Sequence, residues 1–192
     1  MHTERMVDEL FGAPLDEFTA RRNALSAELA KSGDGAAAAR VKKLKKPPLS
    51  AWAVNQLART EARDMARLLE LLDLLRDAES AGEIHDLGAE RRELIARMAR
   101  RAGEILDGAG HAASPAVLAR ITQTLQAGGE EDERSSLRRG VLSRDLAPTG
   151  FDALAGAPLT DAATRHTAER SGEAERLAQL AAEAEAEAAR LT

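Results

Sequence analysis

The residues best suited to binding chemistry lie in one short basic segment of the chain. Five cations occur within seven positions there: Arg40, Lys42, Lys43, Lys45 and Lys46. Pro47 and Pro48 follow, and a new helix is expected to begin near Leu49. Its first turn would place unpaired backbone N–H groups and the positive end of the helix dipole beside the cations. The segment therefore predicts a phosphate-binding corner, in which the lysines and the helix start at Leu49–Ser50 contact phosphate.

The helix after the prolines also carries polar side chains that could contact bases. Helix, short turn and second helix match the outline of a helix-turn-helix, with Ser50, Asn55, Gln56 and Arg59 as the readers. The alternative is a buried helix, because apolar side chains cover nearly all of its sides. Trp52 would then be the main core anchor and Asn55 a hydrogen-bonded buried amide. We favour the buried helix, since a recognition helix needs an exposed polar face.

Catalytic and metal-binding chemistry has little support in the sequence. The chain has no cysteine, and its four histidines are scattered, with no pair spaced as metal ligands on one helix face. The glycine-containing stretches 33–35 and 108–110 are expected to follow helices, as turns do, and are too short for a phosphate loop. We therefore expect neither enzyme activity nor a metal or cofactor.

A second basic cluster, between residues 91 and 101, is expected to be structural. Glu93 lies four residues before Arg97, and Glu104 lies four residues after Arg100. Ion pairs within one helix would then account for much of the cluster.

The composition indicates an all-α fold. Aromatic residues make up only 2% of the chain, so leucine and alanine, which are strong helix formers, must carry the packing. No alternating run of β-branched residues predicts a strand. The expected helices are the following: Pro14–Lys31, Ala36–Lys45, one from Leu49, Glu61–Glu79, Asp86–Asp107 after a break at Gly82, and one from Pro115 behind a capping Ser114.

These helices are expected to form a multi-helix bundle over residues 1–147. A Pro/Gly connector at 148–158 and an extended Ala/Glu-rich helix at 159–192 would follow. The wide apolar stripe Met65–Leu75 indicates a central helix that packs on two sides, or one that packs against a second subunit.

Charge and hydropathy bear on location and partners. Acidic residues interrupt the first ten positions, and no apolar run approaches the length of a membrane span, so a cytoplasmic protein without membrane contact is expected. The net charge is −5, but Arg21–Arg67 is basic and Thr160–Thr192 is acidic. The basic part could attract an anionic partner, or the two parts could neutralise each other.

Two stretches of the sequence resemble one protein family. They are APLDEFTARR at 13–22 and LKKPPLSAWAVNQLAR at 44–59. They are similar to the "PL-EF-aaR" opening and the "LrKP-aAWavNqLaR" core of a family of uncharacterised actinobacterial proteins. The resemblance covers about the first 155 residues and implies no activity. It marks the following residues as matching the core pattern: Lys46, Pro47, Trp52, Asn55 and Arg59.

The leading hypothesis is a non-enzymatic bacterial protein that binds nucleic acid, in particular DNA, through the lysine-rich segment. The residues expected to contribute are Arg40, Lys42, Lys43, Lys45, Lys46, Ser50 and Arg59. An ordinary solvated charged face explains the cations equally well. The alternative function is a helical interaction or scaffold protein that forms a homodimer through the Met65–Leu75 stripe or the C-terminal helix.

Overall fold

The computed structural model describes residues 2–128 and 131–147, which form helices joined by turns, without a strand in those ranges. The α-helices are α1 (His2–Gly12), α2 (Phe18–Lys31), α3 (Gly35–Lys42), α4 (Leu49–Thr60), α5 (Ala62–Asp77), α6 (Ala81–Gly108), α7 (Pro115–Ala127) and α8 (Glu131–Arg139). A short 3-10 helix, Leu15–Glu17, precedes α2. The predicted all-α multi-helix bundle is confirmed. The expected connector at 148–158 and helix at 159–192 lie outside the described residues.

Capping side chains explain where several helices begin. The Asp34 carboxylate accepts from the Ala37 N–H at 2.9 Å at the start of α3, and Ser114 Oγ accepts from the Val117 N–H at the start of α7. Ser80 Oγ accepts from the Glu83 N–H in the same way, so α6 begins at Ala81. The predicted break between α5 and α6 is therefore present, but it lies at residues 78–80 and not at Gly82.

Helix α4 lies at the centre of the bundle and contacts α1, α5, α6, α7 and α8. Eight of its residues are buried: Ser50, Ala51, Trp52, Ala53, Val54, Asn55, Leu57 and Ala58. The apolar stripe of α5 is buried as well, from Met65 to Leu75, and α5 packs against α4, α6 and α8. The apolar residues of the stripe thus let α5 pack on several sides within one chain.

A hairpin of α2 and α3 has a small apolar cluster of its own. Leu29, Ala37, Ala38 and Val41 form its buried part, and Met6 and Val7 of α1 pack against it. Ser26 Oγ donates a hydrogen bond to the Ala38 carbonyl at 2.9 Å, and the Arg22 guanidinium donates one to the Leu44 carbonyl at 2.9 Å. These contacts hold α3 and the start of the segment that leads to α4.

Ion pairs join α5 to α6. Arg97 pairs with Asp64 of α5, and Arg101 pairs with Glu61 and with Glu104 of its own helix. The ion pair of Arg97 is thus with the neighbouring helix, and Glu93 of its own helix adds only a longer-range attraction. Glu104 does pair within its helix, but with Arg101 and not with Arg100. Such exposed pairs contribute little stability each.

No helix within residues 2–128 and 131–147 combines the length and the apolar character that crossing a membrane requires.

Candidate nucleic-acid interface

The basic segment lies on the surface, and apolar anchors at every third residue place it there. Val41 and Pro47 are buried and Leu44 is half-buried, whereas the residues between them are exposed. Two pairs of exposed lysines therefore alternate with the anchors: Lys42 with Lys43, and Lys45 with Lys46. We call these four residues together with Arg40 the cationic row.

Carboxylates of residues 2–128 and 131–147 neutralise little of the charge of the cationic row. Within the part of the chain that the structure describes, only Lys46 meets a carboxylate, Asp16, with 3.6 Å between Nζ and Oδ1. Lys42 Nζ donates to the neutral amide oxygen of Asn23 at 3.1 Å. The side chains of Arg40, Lys43 and Lys45 make no hydrogen bond or ion pair with the described residues. The cationic row therefore presents a local positive field on a protein of net charge −5.

The first turn of α4 was predicted to contact phosphate, but the structure does not support this prediction. Ser50 is only 2% exposed, and its hydroxyl donates to Asp145 Oδ1 at 2.6 Å. A carboxylate thus already lies at the positive end of the α4 dipole, where it is stabilised and where it would repel a phosphate. This corrects the assignment of Ser50 as a phosphate contact.

Arg59 is exposed, but its guanidinium is also bound to the protein backbone. Its guanidinium donates to the carbonyl oxygen of Asp8 in α1 and, at 3.1 Å, to that of Gly140. Burial lowers the pKa of Arg59, and the Asp8 charge partly offsets that effect. Arg59 therefore joins the N-terminal helix to the segment after α8 through its Nη2. Its assignment as a nucleic-acid contact stays a prediction.

The other two proposed readers of bases also bind the protein backbone. Gln56 Nε2 donates to the Phe11 carbonyl at 3.3 Å. Asn55 is fully buried: its Nδ2 donates to the Leu142 carbonyl at 2.9 Å, and its Oδ1 accepts from the Leu142 N–H at 2.8 Å. Gly140, with a φ of +67°, turns the chain onto α4 at this point, and a Cβ there would lie 2.7 Å from the Asn55 carbonyl oxygen.

Trp52 completes this set of contacts, since its indole N–H donates to the Ala13 carbonyl at 2.9 Å. Trp52, Gln56 and Arg59 lie on one face of α4 and hold carbonyls in and just after α1. The interpretation of α4 as a buried helix, with Trp52 as an anchor and Asn55 as a satisfied amide, is confirmed. A helix enclosed in this way has no exposed polar face for a DNA groove.

The fold brings two arginines to the cationic row that sequence reasoning missed. Arg22 of α2 donates to the carbonyl of Leu44, which lies between Lys43 and Lys45 of the row. Arg139, at the end of α8, lines the same surface groove as Arg40 and pairs with Asp8 at 2.7 Å. The sequence shows only that Arg139 follows another arginine. It does not show that Arg139 lies near Arg40, because α8 is distant from α3 in the sequence.

The described residues do not gather three histidine, aspartate or glutamate side chains in a position to hold a metal ion. No protein-family model, curated protein or solved structure matches the chain. The resemblance to an actinobacterial family therefore stays a prediction, and a functional assignment depends on the geometry of the cationic row.

Proposed function

We propose that the chain is a non-enzymatic nucleic-acid-associated protein of the bacterial cytoplasm, and that the cationic row binds the phosphate backbone. The observation that carries the proposal is the exposed charge of the row, which Val41, Leu44 and Pro47 hold outward and which, among the described residues, only Asp16 partly neutralises. The alanine- and arginine-rich composition, which is typical of GC-rich bacterial genomes, supports the bacterial origin.

Phosphate is the chemistry that this row favours. Lysine ammonium groups are compact point charges that bind phosphate oxygens without a requirement for one planar geometry. Backbone phosphates recur along a strand, so a row of cations can contact several of them at once. Such contacts set the position of a protein on nucleic acid but do not read its sequence. We therefore expect binding with little sequence preference, and DNA as a sufficient ligand.

The negative net charge of the whole chain confines the binding to this surface. A protein of net charge −5 repels a polyanion over most of its surface, and only a locally positive region can offset that repulsion. The affinity should accordingly be modest, with a Kd of about 10⁻⁴ to 10⁻⁶ M near physiological salt, as is usual for non-specific binding.

A homodimeric scaffold is less well supported. The Met65–Leu75 stripe, through which a second copy was expected to pack, is already buried within the chain apart from Leu74. The other expected route, through residues 159–192, lies outside the described residues.

Salt dependence tests the proposal. Fluorescence anisotropy of a labelled single-stranded DNA should rise with protein concentration at low salt. The logarithm of the binding constant should then fall with the logarithm of salt with a slope of about −3, as four to five phosphate contacts on a single strand require. An anisotropy that stays flat at low salt up to about 10⁻⁴ M protein would contradict the proposal, because non-specific complexes form by that concentration.

A further inference from the structure

A surface groove lies directly beside the cationic row, between α1 and α3. Its volume is about 320 Å³, and its apolar lining comes from Val7, Val41 and Leu44. Arg40 belongs both to the groove and to the cationic row. The groove is therefore continuous with the surface proposed to bind phosphate.

The polar groups of the groove differ in kind from those of the row. Its polar lining residues are two arginines, a glutamate and a threonine: Arg40, Arg139, Glu4 and Thr3. Arg139 is partly neutralised by Asp8, whereas Arg40 makes no ion pair with the described residues. A phosphate would gain nothing from the apolar lining and would be repelled by Glu4. The groove thus suits a ligand group with flat apolar faces and a polar edge.

A nucleobase has these properties. Its faces stack on apolar side chains and on guanidinium planes, and its edge offers donors and acceptors. A carboxylate such as that of Glu4 can accept from an exocyclic amino group, and a hydroxyl such as that of Thr3 can donate or accept. The volume lies at the lower end of the range for small-molecule sites, which fits one base.

We propose that the groove accepts one unstacked base of a single-stranded nucleic acid while the lysines of the cationic row bind the phosphates that flank it. Base faces are hidden in a duplex and accessible in a single strand, so the preferred ligand is single-stranded. This inference rests on the proposed function, because the phosphates must first bring the strand to the row.

Abasic DNA separates the contribution of the base from that of the phosphates. Anisotropy titrations should compare three labelled ligands of equal length: a single strand with bases, the same backbone with abasic residues, and a duplex. The full-length protein should bind the single strand at least about fivefold more tightly than the abasic strand, since base stacking in single-strand sites contributes at least that much. It should also bind the single strand more tightly than the duplex.

Two variants, each lacking one positive charge, test whether the preference for bases arises in the groove. Arg40→Gln should remove most of the preference for bases over abasic residues. Lys45→Gln, which removes one exposed cation outside the groove, should weaken binding of both strands by the same factor. Circular dichroism would verify that both variants keep the helical content of the wild type.

The outcomes distinguish the two proposals. Equal affinity for the strands with and without bases, or tighter binding of the duplex, would overturn the base-binding groove and leave phosphate binding by the row in place. An Arg40→Gln variant that retains the full preference for bases would overturn the groove assignment as well. An absence of binding to all three ligands at low salt would overturn both proposals.

Discussion

Replacing Asn55 with alanine is expected to lower the free energy of unfolding by about 4 kcal/mol, because two buried backbone groups lose their hydrogen bonds at about 1–3 kcal/mol each. Those groups are the N–H and the carbonyl of Leu142, both held by the Asn55 amide, which is 0% exposed. Alanine would leave a space there but no donor or acceptor. Urea unfolding followed by the fluorescence of Trp52, the only tryptophan in the chain, measures the effect.

Gln56→Ala is the matched control for this variant. Gln56 is an amide residue on the same helix, but it is only partly buried and donates a single hydrogen bond of 3.3 Å, to Phe11. Its loss should cost about 1 kcal/mol or less. If both variants lowered the free energy of unfolding by a similar amount, the Asn55 contact with Leu142 would contribute less to stability than we expect.

Changing Lys42, Lys43, Lys45 and Lys46 together to glutamine should weaken binding to single-stranded DNA at low salt by at least about 100-fold, because four phosphate contacts and the counterions they release are lost. The four side chains are exposed and only Lys46 pairs with a carboxylate of a described residue, so the fold should tolerate the change. Anisotropy titrations at one fixed low salt concentration would measure the loss.

A second quadruple variant removes the same amount of charge from other surfaces. Arg63, Arg92, Arg100 and Arg120 are exposed and make no ion pair with the described residues. Their joint change to glutamine alters the net charge as much as the lysine variant does, yet should weaken binding by less than about threefold, since only long-range repulsion increases. An equal loss in both quadruple variants would mean that overall charge, and not the cationic row, determines binding.

Local signals in the sequence predicted much of the fold. Ser114 and Asp34 mark helix starts because a side-chain oxygen satisfies a backbone N–H three residues later, and that contact depends on nearby sequence alone. Helix α1 was not predicted, and part of its support comes from far along the chain. Gln56 Nε2, for example, donates to the carbonyl of Phe11, which lies 45 residues away in the sequence.

For the polar residues of α4 too, the sequence predicted the local environment but not the distant partners. Its apolar character predicted that Asn55 is buried and hydrogen-bonded, but not that its partner is Leu142, 87 residues away. Neither the burial of the Ser50 hydroxyl against Asp145 nor the engagement of Arg59 by two backbone carbonyls follows from spacing. Polar side chains whose spacing suits contacts with DNA bases thus form hydrogen bonds between helix α4 and the rest of the chain.

For the candidate site, the sequence revealed the cations but not their surroundings. Anchors at every third position, Val41, Leu44 and Pro47, are consistent with lysines that point outward, and this is visible in the sequence. The groove beside them is not, because Val7 and Arg139 reach it from α1 and α8. Only the packing of distant helices creates that combination of apolar and cationic groups.

Amine footprinting tests the central claim most directly, because the chain has five lysines and four of them belong to the cationic row. The fifth, Lys31, is exposed at the end of α2 and serves as an internal control. Acetylation read out by mass spectrometry should decrease at Lys42, Lys43, Lys45 and Lys46 when single-stranded DNA is added, and stay constant at Lys31. Unchanged labelling of those four lysines, or equal protection of all five, would contradict binding through the cationic row.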